Sequence, residues 1–190
     1  MSTVVSEKID NVISFAESLI DIKYVRWEKG KYYNFHCDEL PSLDSLKMEG
    51  VCCSSFINLL MLYSGKTIPE HRNIMRGGTL YWAVFFRDHN VLEKFDYTKK
   101  YPLGTIFLRN FYSEQDQGHM AMLTDYNTNE PDKILYAKII HAYVYNEHSA
   151  VGKTTLGVSH FSVNDDTGYY EYAIMPQNWY KVLPFKSHVV

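Results

Sequence analysis

The chain has 190 residues, of which 46% are hydrophobic and 22% are charged, and this balance predicts a single compact domain, 1–190, with a sizeable core. A formal net charge of only -3, without a long basic run, argues against nucleic-acid binding as the main activity. No stretch approaches the roughly 20 apolar residues of a membrane span, and the first residues lack the pattern of a signal peptide. Three cysteines, two of them adjacent, do not suit a disulfide framework, so we expect a protein of a reducing compartment.

The first predicted element is an amphipathic helix. Ser6 is expected to cap it, and apolar residues recur at helical spacing from Ile9 to Ile20. The helix is expected to end near Asp21, because the β-branched and aromatic residues at 24–27 (Tyr-Val-Arg-Trp) favour an extended chain.

A long polar connection, 31–49, comes next. Ser42 is predicted to open a short helix at 43–48 within it. Connections of this length inside a compact domain are usually functional, so we predict that this one frames a binding cleft.

Residues 50–65 have the pattern of a buried helix, since nearly every residue after Ser54 is apolar and Gly65 supplies a stop. Cys53 falls in the first turn, where backbone N–H groups lack partners and the helix dipole adds roughly half a positive charge. That position favours the thiolate, which is the nucleophilic form of cysteine. The alternative is that Cys52 and Cys53 are two ordinary buried cysteines.

The second half of the chain has the pattern of strands. After a helix from about Thr79 to His89, strands are predicted at 105–110, 118–124, 138–145, 154–161 and 169–174, with a turn at 164–168. Helices that precede strands favour an α+β domain with an antiparallel sheet over a parallel, doubly wound one.

Two histidines fall on predicted strands among apolar neighbours. His119 follows a glycine at the start of one strand, and His141 lies in the middle of another. Taken singly, each fits a structural histidine that hydrogen-bonds in the core. Together with Cys53 they fit a cysteine peptidase, which needs a nucleophile, a base within hydrogen-bond reach and a polar group that fixes the base's tautomer. We predict those roles for Cys53, His119 and His141, in that order.

A metal site is the competing hypothesis. Residues 35–38 (Phe-His-Cys-Asp) and the cysteine pair at 52–53 contain ligand types. No Cys-x-x-Cys pair and no His-x-x-x-His helix accompanies them in the sequence, so we predict neither a metal nor another cofactor.

With these residues in hand, the sequence resembles the NlpC-type papain-like cysteine peptidases, a family best known for cell-wall peptide hydrolases. Five segments carry the resemblance in the family's order, namely 24–27, 52–56 (Cys-Cys-Ser-Ser-Phe), 102–107, 118–122 (Gly-His-Met-Ala-Met) and 140–142 (Ile-His-Ala). The second segment is in register with the family's nucleophile motif, Asp-Cys-Ser-Gly-Phe. The resemblance therefore selects Cys53 rather than Cys52.

The resemblance implies a papain-like α+β fold, with helices packed on a mostly antiparallel sheet, and a thiol hydrolase. Such an enzyme would cleave an amide bond of a peptide, for example a cell-wall peptide, through an acyl-enzyme on Cys53. His119 would hold the thiolate as an ion pair and then protonate the leaving amine, while His141 would orient His119. By resemblance, the Cys53 N–H and the Tyr24 hydroxyl would hold the oxyanion. The predicted substrate-binding residues are Tyr24, Trp27, Cys52 and Ser54.

Three departures from the family pattern concern substrate recognition. Cys52 stands where the resemblance implies an acid that binds the substrate's amino end, Ser55 replaces a glycine and Thr105 replaces an aspartate. Such variants resemble the divergent members found in large DNA viruses, which would place the protein in the cytoplasm or in a virion. Two alternative functions are a non-catalytic binding domain that retains the cleft and an acyltransferase acting on a lipid or thioester.

Overall fold

Six strands and five α-helices form the described part of the chain, which comprises residues 3–26, 39–70, 74, 76–113, 117–145, 148–156 and 170–186 of a computed structural model. The helices are α1 (Thr3–Ser18), α2 (Leu43–Glu49), α3 (Cys53–Tyr63), α4 (Thr79–Asp88) and α5 (Pro176–Val182). The strands are β1 (Glu93–Lys94), β2 (Ile106–Arg109), β3 (His119–Asp125), β4 (Lys138–Tyr145), β5 (His148–Thr155) and β6 (Tyr172–Ile174). None of the described helices combines the length and the apolarity that crossing a membrane requires.

The six described strands form one sheet in the order β1-β6-β2-β3-β4-β5, and every neighbouring pair is antiparallel. Strands β2 to β5 follow one another in both sequence and space, whereas β6 returns to lie between β1 and β2. This sheet, packed with helices, confirms the α+β class. It also makes β3 and β4 neighbours, so the strands that carry His119 and His141 run side by side.

Side chains of the sheet contribute alternately to two cores. Met120 and Met122 of β3 join the core shared with the helices, while Ala121 and Leu123 join a second core on the opposite face. Because both faces are covered, β3 is buried from His119 to Thr124. Its sequence therefore lacks the alternation of apolar and polar residues that a half-exposed strand shows.

Helix α3 lies between α1 and the sheet, against β3 and β4. Its residues from Cys53 to Leu62 are all buried. Apolar burial of this kind is worth about 1.5–3 kcal/mol for each large side chain, which is enough to fix the helix on the sheet. The first residue of α3 is consequently held near the start of β3.

The end of α3 is fastened to residues near the carboxyl terminus. Lys66 pairs through its backbone with Phe185, and its buried Nζ donates a hydrogen bond of 2.9 Å to the carbonyl of Leu183. The same ammonium lies 4.2 Å from the ring centre of Tyr180 and 3.3 Å from that of Phe185. We call these four residues the Lys66 clamp.

Several predicted elements are confirmed. The Ser42 hydroxyl accepts the backbone N–H of Ser45 and caps α2, as expected from the sequence. Helix α4 begins at Thr79, strand β4 spans 138–145, and α3 stops just before Gly65, which has φ of 80°.

Three predictions at element boundaries were wrong. Ser6 lies inside α1 rather than at its cap, and the helix ends at Ser18, so Ile20 is exposed. The strand predicted at 154–161 is instead β5, which runs from His148 to Thr155 with Leu156 already beyond it. Residues 157–161 and the turn at 164–168 lie outside the described residues. Helix α5, which has proline at its first position, was not predicted at all.

Candidate active site

Cys52 and Cys53 have different places at the start of α3. Cys52 is the N-cap, and its Sγ accepts the backbone N–H of Ser55 at 3.4 Å. The Ser55 hydroxyl in return accepts the backbone N–H of Cys52 at 2.8 Å, which completes a capping box built on a thiol. Cys53 is the first helical residue and is buried. The sulfur of Cys52 therefore serves the helix start and leaves the Cys53 sulfur to face the sheet.

The sulfur of Cys53 lies against strand β3. Burial, together with the neighbouring Cys52, raises the pKa of the Cys53 thiol to about 12. Hydrogen bonds from the backbone N–H groups of Ser54, Met120 and Cys53 itself lower the pKa but do not offset the burial. The expected low-pKa thiolate is thus wrong for this structure, because desolvation outweighs the helix start. The Met120 contact places the sulfur beside the residue that follows His119.

The structure brings the two predicted histidines together. Nε2 of His119 lies 2.7 Å from Nδ1 of His141, and the ring centres are 5.0 Å apart. Both side chains are almost wholly buried, with exposed fractions of 2% and 1%. Because Nε2 of His119 is engaged by His141, Nδ1 is the nitrogen that would have to accept a proton if His119 acts as a base.

Gly118 allows His119 to enter β3. Its φ is 73°, and a Cβ at this position would lie 2.5 Å from the carbonyl oxygens of both Arg109 and Asn110. Any residue with a Cβ would therefore clash with the backbone of Arg109 and Asn110. The glycine that precedes His119 in the sequence is thus required by the geometry of the site.

Both histidines are neutral in this environment. Burial, the neighbouring His141 and the guanidinium of Arg109 hold the pKa of His119 well below its ordinary value. Burial lowers the pKa of His141 to about 3. Arg109 lies directly opposite His119 in the β2–β3 ladder, so its charge opposes a second positive charge there. A neutral thiol and two neutral imidazoles therefore form the resting site.

Two further residues hold His141, and neither was predicted from the sequence. Thr154 Oγ1 lies 3.0 Å from Nε2 of His141. The ring of Tyr143 stacks on the imidazole, with centres 4.5 Å apart and planes 19° apart. Gly152 makes room for that ring, because a Cβ there would lie 2.8 Å from Tyr143 Cε1. Tyr143 follows His141 by two residues and so could have been expected on the same face, but Thr154 could not be placed without the β4–β5 register.

The remaining predicted site residues surround the cysteines where they are described. Tyr24 pairs with Val51 in an isolated bridge. Burial above all, and the proximity of Cys53 and Cys52, raises the pKa of the Tyr24 hydroxyl, which therefore stays protonated and able to donate. The Ser54 hydroxyl is 3.5 Å from the Cys52 sulfur. Trp27 lies outside the described residues.

Within the described ranges, no three histidine, cysteine or acidic side chains come together in the way metal ligands would. The other candidate ligands, His36 and Cys37, fall in a part of the chain that is not described. The predicted absence of a metal stays a prediction.

Two solved structures show which class of domain this fold resembles. The peptidoglycan hydrolase RipB from Mycobacterium tuberculosis matches over 93% of this chain and 68% of its own, with a TM-score of 0.50 and 14% identity. A Staphylococcus aureus protein of the NLP/P60 family, described as similar to lipoprotein, matches over 92% of this chain with a TM-score of 0.50 and 12% identity. The matched region is 42% of that longer protein.

No family profile matches the sequence, and no curated protein matches it. At 12–14% identity, the structural likeness shows the fold alone. The fold is of the papain-like α+β type found in NlpC/P60 domains, as the sequence resemblance implied.

Proposed function

We propose that this protein is a thiol-dependent hydrolase of the NlpC/P60 type, which cleaves an amide bond through an acyl-enzyme on Cys53. The observation that supports the proposal is the contact of Cys53 with β3 next to His119, whose imidazole is held by His141. The Cys53 sulfur at the start of α3 hydrogen-bonds the Met120 N–H, and the adjacent His119 is fixed by His141 at 2.7 Å. Nucleophile, base and orienting group are the parts that nucleophilic catalysis of acyl transfer needs.

The neutral site sets the order of the proton transfers. As Cys53 Sγ bonds to the carbonyl carbon, the thiol proton passes to Nδ1 of His119, and His119 then delivers it to the leaving amine as the C–N bond breaks. Water attacks the thioester, giving a carboxylic acid and restoring the thiol. The ion pair is formed during attack and is absent from the resting enzyme, because burial disfavours both charges there. The Cys53 N–H and the Tyr24 hydroxyl would donate to the oxyanion.

The substrate class is a peptide or another amide, with cell-wall peptide as the first candidate. RipB, a peptidoglycan hydrolase by name, has the same fold and supports that choice. The finer expectations stay predictions, namely a single domain 1–190, a location in the cytoplasm or a virion, and a likeness to members from large DNA viruses.

Hydrolysis and thiol labelling with matched variants test the proposal. Cys53→Ala should abolish hydrolysis of peptide amides and labelling by a substrate-like electrophile. Cys52→Ser, which keeps a good helix cap, should retain both. Labelling that does not prefer Cys53 over Cys37 would favour a non-catalytic binding domain. Transfer of the acyl group to an added amine or thiol in preference to water would favour an acyltransferase.

A further inference from the structure

We propose that Thr154 is a positioning residue of this site, which holds His141 in the tautomer that keeps His119 able to accept the Cys53 proton. The inference rests on the proposed function only in assigning the proton transfer to Cys53 and His119. Its starting point is the chain of contacts from His119 to His141 at 2.7 Å and from His141 to Thr154 at 3.0 Å.

The position of His141 leaves its two ring nitrogens with separate partners. Nδ1 faces His119 and Nε2 faces the hydroxyl of Thr154. Tyr143 stacks on the ring and fixes its plane. The imidazole therefore cannot tilt out of that plane toward other partners without breaking the stacking contact. The Thr154 hydroxyl is therefore placed to influence which nitrogen of His141 carries the proton.

Two proton arrangements fit these distances. In the first, His119 donates from Nε2 to Nδ1 of His141, and His141 donates from Nε2 to Thr154. Nδ1 of His119 is then bare and can accept from the Cys53 thiol. In the second, all donors are reversed, so that Thr154 donates to His141 and His141 donates to His119. Nδ1 of His119 then carries a hydrogen and cannot act as a base.

The surroundings favour the first arrangement. Thr154 is only partly buried and lies on β5, an edge strand of the sheet. Its hydroxyl hydrogen can therefore point to solvent while its oxygen accepts from His141. Both ring nitrogens of His141 then have a suitable partner. In the proposed mechanism, the second arrangement would direct a ring N–H of His119 at the Cys53 thiol, which is a weak acceptor. The first arrangement also persists through proton transfer, because His119 gains a hydrogen without changing either contact.

Replacing the Thr154 hydroxyl by a methyl group should remove this preference. Thr154→Val keeps the shape but leaves the Nε2–H of His141 facing a methyl group. An unpartnered buried N–H is costly, which shifts His141 toward the tautomer with its hydrogen on Nδ1. Thr155→Val is the matched control, since Thr155 is adjacent on β5 but its hydroxyl accepts from Lys138 at 2.7 Å instead.

The test combines ring nitrogen NMR with alkylation of Cys53 at neutral pH. We expect the wild type to carry the His141 hydrogen on Nε2. Thr154→Val should move it to Nδ1 and slow alkylation about 10- to 100-fold, the size given by one unpartnered buried group. Thr154→Ser should restore the tautomer and most of the rate, and Thr155→Val should change neither.

A wild type with its His141 hydrogen on Nδ1 would overturn the inference, and this result needs no variant to fold. An unchanged tautomer and rate in folded Thr154→Val would overturn it as well. Because the NMR measurement uses no substrate, a wild type that hydrolyses nothing would refute the proposed function while the tautomer still decides the role of Thr154.

Discussion

His119 and His141 share a single hydrogen bond, which requires that one of the two facing nitrogens be bare. Protonation of both rings therefore breaks the contact that aligns the proposed base. The low pKa values of both rings, about 3 for His141, keep the pair intact across the neutral range.

The same shifts predict that the fold loses stability in acid. Both histidines have folded pKa values below the unfolded value of about 6.5, so the unfolded chain binds more protons below that pH, down to about 3 in the case of His141. Stability should fall as pH decreases through that window, by up to about 1.4 kcal/mol per pH unit for each histidine. Urea unfolding at several pH values measures the slope. His141→Asn should reduce the slope of the unfolding free energy against pH. An equal slope in the variant would contradict the conclusion that buried His141 causes the loss of stability in acid.

The pH dependence of alkylation distinguishes a neutral resting site from an ion pair. With a thiol pKa of about 12, alkylation of Cys53 should be slow at neutral pH and still rising above the free-thiol value of about 8.5. The measurement is made in a Cys37→Ser, Cys52→Ser background. His119→Ala should slow the reaction further at neutral pH, whereas His141→Asn or Gln should retain much of the rate because an amide can still orient the imidazole. An alkylation rate that already reaches its plateau near pH 6 would show that the resting enzyme holds a thiolate instead.

Gly118 and Gly65 provide a matched pair of substitutions. Both have positive φ, 73° and 80°, but a Cβ at Gly65 would meet nothing within 4 Å. Gly65→Ala should cost about 1–2 kcal/mol of stability through left-handed strain alone and leave alkylation of Cys53 unchanged. Gly118→Ala should cost more, because it also meets two carbonyl oxygens, and should lower the alkylation rate by displacing His119. Equal effects on the rate would show that Gly118 does not position the site.

The presence of Cys52 in place of an acid should determine which substrates are cleaved. A buried amino group without its carboxylate partner costs about 3–5 kcal/mol, or roughly several hundredfold or more in binding. We therefore expect poor cleavage of muropeptides with a free amino end and better cleavage of N-blocked or internal amides. Cys52→Asp should restore cleavage of substrates with a free amino end. It should also preserve the helix cap, since aspartate is a favoured N-cap residue.

Cys52→Asn is the control for this substitution, because asparagine caps equally well without a charge. Steady-state kinetics on paired free and blocked peptides give the comparison. Efficient cleavage of free-ended muropeptides by the wild type would refute the argument from Cys52 and strengthen the cell-wall assignment.

The sequence predicted best those features that depend on neighbours along the chain. The Ser42 cap and strand β4 were correct, since capping residues and apolar runs are local signals. The start of β5 was missed because its first residues are polar and small, and pairing with β4 overrides their weak strand preference.

Within the site, the sequence led to the two histidines through their apolar strands and the family resemblance. The contact of Thr154 with His141 depends instead on a register between two strands, which no local pattern fixes. The thiol pKa was misjudged for a related reason. The helix start of Cys53 is visible in the sequence, but the burial that outweighs it comes from the packing of α3 on β3.

The Lys66 clamp connects residues in and after α5 to the end of the helix that begins with Cys53. Helix α3 is about 16 Å long, at 1.5 Å per residue, with Cys53 at one end and the clamp just past the other. Lys66 and Leu183 are 117 positions apart, and their hydrogen bond ties the residues just past α3 to the chain that follows α5. We expect an event that pulls Leu183 or Phe185 away, such as proteolysis after α5, to loosen the end of α3 opposite Cys53 and so disturb the position of the sulfur. The site would then lose its alignment while each of its own residues remained unaltered.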